Sequence, residues 1–188
     1  EEIIASETKL LTCNDPMTLQ SMKRLSTVLI NRRKRPNTDD LLRALDVLKK
    51  EIQIRVQVGG GPRHVDTLDA IQRLGRLLWR LRRLKESLLC IKRVYDGFVL
   101  IDKHSRLSLE AGYELATLYI EMGLLGEAHT LLGELIAGYE YAMARGRIDV
   151  RKGRAKIQVL VEQTIFVLRE KGDFTEAEKT RCSFFVVE

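Results

Sequence analysis

Apolar residues recur three and four positions apart through nearly all of this chain, and that spacing admits helices and little else. Leu68, Ile71, Leu74, Leu77, Leu78 and Leu81 form one such set, and Leu84, Leu88, Ile91, Val94 and Tyr95 form the next. With about 100° of rotation per residue, each set falls on a single helix face. The pattern returns in residues 107–120 and 125–139. No segment alternates apolar and polar residues over a strand's length. Ser183-Phe184-Phe185-Val186-Val187 has strand-like composition, but a lone strand has no partner for its backbone hydrogen bonds, so a frayed or cut end is expected there. The predicted class is all-α.

The helices come in pairs, and the pairs repeat. Advancing residues 67–98 by 41 positions lays Leu74-Gly75 on Leu115-Ala116, Leu78 on Tyr119, Leu84 on Leu125, Glu86-Ser87 on Glu127-Ala128, Ile91 on Leu132 and Phe98 on Tyr139. A shift of 49 carries Gly123-Leu124-Leu125-Gly126-Glu127-Ala128 onto Gly172-Asp173-Phe174-Thr175-Glu176-Ala177. Thr18, Leu19, Met22, Leu25 and Ser26 likewise stand 49 positions before Thr67, Leu68, Ile71, Leu74 and Gly75. Small residues coincide with small ones and large with large. Ser26, Gly75 and Ala116 on the first helix of each pair let the second helix approach closely, and Ser87, Ala128 and Ala177 answer from the other side. One hairpin cannot cover its own apolar face, so neighbours must stack, and a small rotation per repeat predicts an α-α solenoid of about four hairpins with a concave surface. The expected divisions are a flank over 1–14, repeats over 15–64, 65–104 and 105–151, and an incomplete fourth repeat over 152–188. Two longer connections are expected, a basic loop with Pro36 between Arg32 and Asn37, and a widened stretch from Ala144 to Gly153.

Composition removes several alternatives. With 45% apolar and 31% charged residues and only 3 Pro in 188 positions, the chain is globular and not disordered. No apolar run approaches the ~20 residues of a membrane span, and the start Glu1-Glu2-Ile3-Ile4 lacks the basic and apolar regions of a secretory signal. Cys13, Cys90 and Cys182 are odd in number and far apart, so reduced thiols are expected. A soluble, cytoplasmic protein is the expectation. Because the chain starts without Met and stops within the fourth hairpin, it is expected to be an excised piece whose incomplete end is available for self-association. The net charge of +6 is uneven: residues 23–106 hold 21 Lys/Arg against 9 Asp/Glu, whereas residues 107–188 hold 10 against 13, so only the first stretch is a candidate for polyanion binding.

The repeat resembles the tetratricopeptide (TPR) repeat, in the roughly 42-residue variety found in kinesin light chains and in many fungal and bacterial repeat proteins. Those repeats open on a stretch like G-P-x-H-P-D-T-L. Here Gly61-Pro62-Arg63-His64-Val65-Asp66-Thr67-Leu68 departs from it only at Val65, and Asp15-Pro16-Met17-Thr18-Leu19 is similar one repeat earlier. The resemblance covers about residues 15–181. It implies a right-handed α-α superhelix in which the first helix of each pair faces a ligand groove. Carried over position by position, the groove residues are Lys23, Thr27 and Asn31, then Gln72, Arg76, Trp79 and Arg80, then Tyr113, Thr117 and Glu121, and last Glu162 and Phe166. The family's Asn pair, which grips a bound peptide backbone, is replaced here by Lys23-Arg24, Gln72-Arg73, Tyr113-Glu114 and Glu162-Gln163.

No residue grouping suggests catalysis. Gly59-Gly60-Gly61-Pro62 lacks the Gly-Lys-Ser/Thr that would follow in a phosphate loop and is expected to be a turn. His64, His104 and His129 have no second His or Cys at helical spacing, so no metal site is expected. Asp39-Asp40 suit a helix start. Trp79 is open between core packing and ligand contact, and Arg32-Arg33-Lys34-Arg35 between a solvated loop and an anion patch. The expectation is a non-enzymatic interaction module, needing no cofactor or metal, that takes a partner's peptide or helix. Its ligand would be acidic with an apolar or aromatic anchor, matched to Arg76, Arg80 and Trp79. Two alternatives stand beside it: a sensor or autoregulatory segment of a larger protein, and nucleic-acid binding by the basic half. Nucleic acid and membrane are not the expected partners.

Overall fold

The computed structural model describes residues 16–31, 38–58 and 60–185. Among these residues eight helices follow one another: α1 Pro16–Asn31, α2 Thr38–Val58, α3 Val65–Arg80, α4 Leu84–Asp102, α5 Arg106–Glu121, α6 Leu125–Ala144, α7 Val150–Glu170 and α8 Phe174–Phe185. They pack in sequence as four hairpins, with no strand among the described residues, so the class is all-α. Ser183 to Phe185, which had a strand-like composition, continue α8. The chain divides into two compact units, Glu1–Val94 and Tyr95–Glu188, with the boundary inside α4.

In the first unit, α2 packs against both α1 and α3. Leu41, Ala44, Leu45 and Leu48 of α2 meet Leu77 and Leu78 of α3, with Leu74, Leu81 and Cys90 packed around them. Burial raises the Cys90 thiol above its ordinary range, which favours the protonated, unreactive form. At Gly75 α3 and α4 approach closely: a methyl group there would stand 2.7 Å from Ile91 Cγ1 and 3.3 Å from Cys90 Cβ. The buried backbone carbonyl of Gly75 also accepts the Ser87 hydroxyl at 2.8 Å. The small residues of the repeat therefore carry out the packing role expected of them.

In the second unit, α5 packs on α6, α6 on α7 and α7 on α8. Leu109, Leu115, Leu118, Leu131, Leu132, Leu135, Leu160 and Val167 are buried, and Ala116, Ala128 and Ala177 are almost fully enclosed where helices approach. Gly153 is buried inside the first turns of α7 against the Met143 side chain, so the connection expected over Ala144 to Gly153 narrows to residues 145–149.

Helix ends explain why the repeat keeps its turn. α3 starts with His64, whose Nδ1 accepts the Asp66 amide at 3.3 Å, and α7 starts with Asp149, which accepts the Lys152 amide at 3.0 Å. Asp39 and Asp40 lie in the first turn of α2, where carboxylates oppose the helix dipole. At the other end, α3, α5 and α7 all finish in the same Schellman turn. The amides of Arg83, Leu124 and Asp173 each reach back to the carbonyl five residues earlier at 2.9 Å. The residue before each of them adopts a left-handed backbone, with φ of +59° at Arg82, +73° at Gly123 and +81° at Gly172. Gly60 and Gly61 are also left-handed and form the turn expected before α3.

Candidate functional site

In the first unit the proposed groove residues lie on α1 and α3. The Lys23 ammonium of α1 is 2.8 Å from Asp69 Oδ2 of α3, tying the two helices together. Burial alone would raise the Asp69 carboxyl, but the Lys23 hydrogen bond and the charges of Arg73 and Lys23 outweigh it and hold it below the ordinary carboxylate range. The Thr27 hydroxyl turns back onto its own helix and donates to the Lys23 carbonyl at 2.7 Å. Asn31 closes α1, and its side chain lies outside the described residues. On α3, Arg76 and Arg80 are exposed one turn apart with Trp79 half-buried beside them. Gln72 retains only 8% of its surface. Trp79 thus belongs wholly neither to the core nor to the surface.

Arg73, beside Gln72, points into the unit. Its two terminal nitrogens donate to Glu51 of α2 at 2.7 and 3.1 Å, and one of them also donates to the Ser26 hydroxyl of α1 at 2.9 Å. Arg55 adds a bond from Nε to Glu51 at 2.9 Å. Glu51 is fully buried, so its charge depends on this cage of donors. Sequence reasoning missed the cluster. A signal was present, because Glu51 continues the buried stripe of Ala44 and Leu48 at helical spacing.

In the second unit α5 supplies Tyr113, Thr117 and Glu121, while α7 supplies Glu162 and Phe166. The Lys156 ammonium of α7 sits over the Tyr113 ring, 4.7 Å from its centroid, and joins the two faces. The Thr117 hydroxyl donates to the Tyr113 carbonyl at 2.8 Å. Glu121 is exposed, and Glu162 accepts a long 3.5 Å bond from Gln158. Phe166 leaves 50% of its surface in solvent, and Val159, two turns earlier on the same helix, leaves 38%. Val159 was absent from the sequence-derived set because its exposure depends on which neighbour α7 meets. Gln163 Oε1 is buried and accepts no hydrogen bond among the described residues.

Other sequence candidates have plainer settings. Among the described residues no three His, Cys, Asp or Glu side chains are grouped as metal ligands. Within those residues no helix is long and apolar enough to cross a membrane. The His104 ring lies against Tyr141 with centroids 4.2 Å apart. Cys13, Gly59 and the basic run from Arg32 to Arg35 lie outside the described residues, whereas Cys182 is exposed and Cys90 half-buried.

No protein-family model matches the chain, and no curated protein matches it by sequence. Solved structures do match. A Podosopora anserina protein described as a kinesin light chain with nearly identical TPR-like repeats superposes with a TM-score of 0.71 at 16% identity, covering 97% of this chain and 81% of that one. A variant of the same protein gives 0.71 at 17% identity over 97% and 80% of the two chains. BtubC (BKLC) from P. vanneervenii gives 0.73 at 16% identity, covering 90% of this chain and 63% of that one. The fold is that of TPR-like repeats of the kinesin light chain kind, as the repeat openings implied.

Proposed function

We propose that this chain is a non-enzymatic protein-interaction module that takes a peptide or helix of a partner protein on the exposed faces of the first helix of each pair. Phe166 carries the proposal. A phenylalanine half in solvent contributes little to the core, and two turns before it on α7 stands the exposed Val159, one turn from Lys156, whose cation lies over the Tyr113 ring. Aromatic and cationic side chains in such an arrangement favour a ligand with an apolar or aromatic anchor and neighbouring acidic groups. In the first unit Arg76 and Arg80 beside Trp79 offer the same chemistry on α3. Stacked helical repeats suit this use because they display side chains on regular surfaces without altering the packing beneath.

Peptides selected from a random library and titrated against wild type, Phe166→Glu and Arg76→Glu/Arg80→Glu test the proposal. Binding lost in either variant, with an unchanged melting curve, supports it. Equal binding by all three proteins, or sequence-selective duplex binding that persists at high salt with no peptide bound, sinks it.

A further inference from the structure

The connection from α6 to α7 forms the edge of a half-open cleft of about 570 Å³ within the second unit. That volume is in the range of small-molecule sites. Its making is local. α6 ends in a Schellman turn at Gly146, φ +66°, so that the Arg147 amide reaches the Ala142 carbonyl at 2.8 Å. The turn aims the Arg147 guanidinium at Asp102, 2.7 Å away. Arg106 at the start of α5 is held the same way by Glu110, at 2.7 Å. Each arginine is therefore fixed by one nitrogen, and its remaining donors bond no acceptor among the described residues.

α7 supplies the opposite wall. Lys152 and Lys156 are one turn apart and both line the cleft. Neither ammonium meets a carboxylate among the described residues, and Lys156 rests over Tyr113. Ile148, Ala155, Val159 and Tyr139 complete the lining with apolar surface. Burial and the Glu110 charge push the Tyr139 hydroxyl up to about 12, so it stays protonated at neutral pH.

The charges decide the ligand class. Arg106, Arg147, Lys152 and Lys156 give four cations, and Glu110, Asp149 and Asp102 give three carboxylates, which leaves a surplus of one positive charge. A carboxylate balances that surplus. A phosphate monoester, at nearly two negative charges, would exceed it with Glu110 and Asp149 close by. We infer that the cleft is a binding site for a small organic carboxylate with an apolar body, its charge held by Lys152 and Lys156 and its body laid against Ile148 and Val159. The cleft shares Lys156 and Val159 with the peptide surface proposed above, whereas Ile148 and Lys152 belong to the cleft alone.

The test is an NMR titration of the whole chain, following the Ile148 methyl and the Lys152 amide. The probes are phenylacetate, phenylacetamide, acetate and phenyl phosphate. Phenylacetate should saturate. Phenylacetamide and acetate should each bind about tenfold more weakly or worse, as should phenylacetate with Lys152→Gln/Lys156→Gln, since each change removes charge pairing or the apolar body. N-acetylphenylalanine distinguishes the source: tighter binding than phenylacetate indicates the chain terminus of a peptide, and weaker binding a free acid. The inference is overturned if phenylacetamide binds as well as phenylacetate, if phenyl phosphate binds more tightly than either, or if the double variant, melting normally, binds unchanged.

Discussion

Arg82 stands 41 residues before Gly123 and adopts the same left-handed backbone, with φ of +59° against +73°. Both residues turn the chain from the first helix of a pair into the second: each donates its amide to the carbonyl three residues earlier, and the residue after each, Arg83 or Leu124, donates to the carbonyl five residues before itself. A side chain in that conformation costs about 1 to 2 kcal/mol. Glycine avoids the cost and loses about 0.5 to 1 kcal/mol of it to greater freedom in the unfolded chain. Arg82→Gly is therefore expected to stabilise by about 0.5 to 1 kcal/mol, and Gly123→Arg to destabilise by a similar amount. Urea denaturation of both variants checks the pair, and a destabilised Arg82→Gly would contradict it.

The buried pair of Glu51 and Arg73 should show strong coupling. Glu51→Gln keeps the volume but leaves the buried Arg73 cation with only the more exposed Asp69, 3.4 Å from its Nε, as counter-charge, and should cost about 3 kcal/mol. Replacing both residues by Met removes two desolvation penalties together. That double variant is expected to be more stable than either single one, and a double-mutant cycle that closes additively would show that the pair is not coupled.

Close packing at the small residues predicts large losses on enlargement. Ala128 is fully buried and Gly75 leaves no room for a methyl group beside Ile91. Gly75→Val and Ala128→Trp should each destabilise by about 1 to 3 kcal/mol or more. Ala177→Ser, a change of one atom, should be milder. Thermal melts of the three variants rank the contacts, and a Gly75→Val melt like that of wild type would refute the close approach of α3 and α4.

Tyr139 predicts a loss of stability in alkali. Its hydroxyl ionises near 12 in the folded chain and near 10 when unfolded. A raised acid pKa means that the folded state resists ionisation. The stability tied to Tyr139 is thus intact below pH ~10 and declines as pH rises from there towards 12. Tyr139→Phe should flatten that decline. Denaturation midpoints between neutral pH and pH ~11 measure it, and identical slopes in the two proteins would contradict the assignment.

Periodicity made the helices legible, since Leu68, Ile71, Leu74 and Leu78 lie on one face whatever covers it. Small residues at repeated positions marked the close approaches, and Gly75 and Ala128 are found there. The groove positions were legible only as positions. Lys23 bonds to Asp69 and Thr27 to its own helix because those outcomes depend on where α1 meets α3. Arg73 was hidden for the same reason: a cation on an apolar stripe implies an anion, but nothing in one stripe says that Glu51 of another helix will supply it. The cleft beside α7 was also hidden, because its wall depends on the direction that Gly146 gives to Arg147.

Shifts of 41 and 49 that align the repeats place Arg73, Glu114 and Gln163 at one common site, and Arg24 one repeat before them. Two cations, an anion and an amide therefore occupy the four copies of one position. Near-equivalent hairpins risk docking in the wrong order, since apolar faces of similar shape discriminate poorly. Charge at this position acts as an address: α3 exchanged for α5 would bring Glu114 to Glu51, two carboxylates in one enclosed space. A mis-ordered docking of that kind would carry an electrostatic penalty that the native order does not.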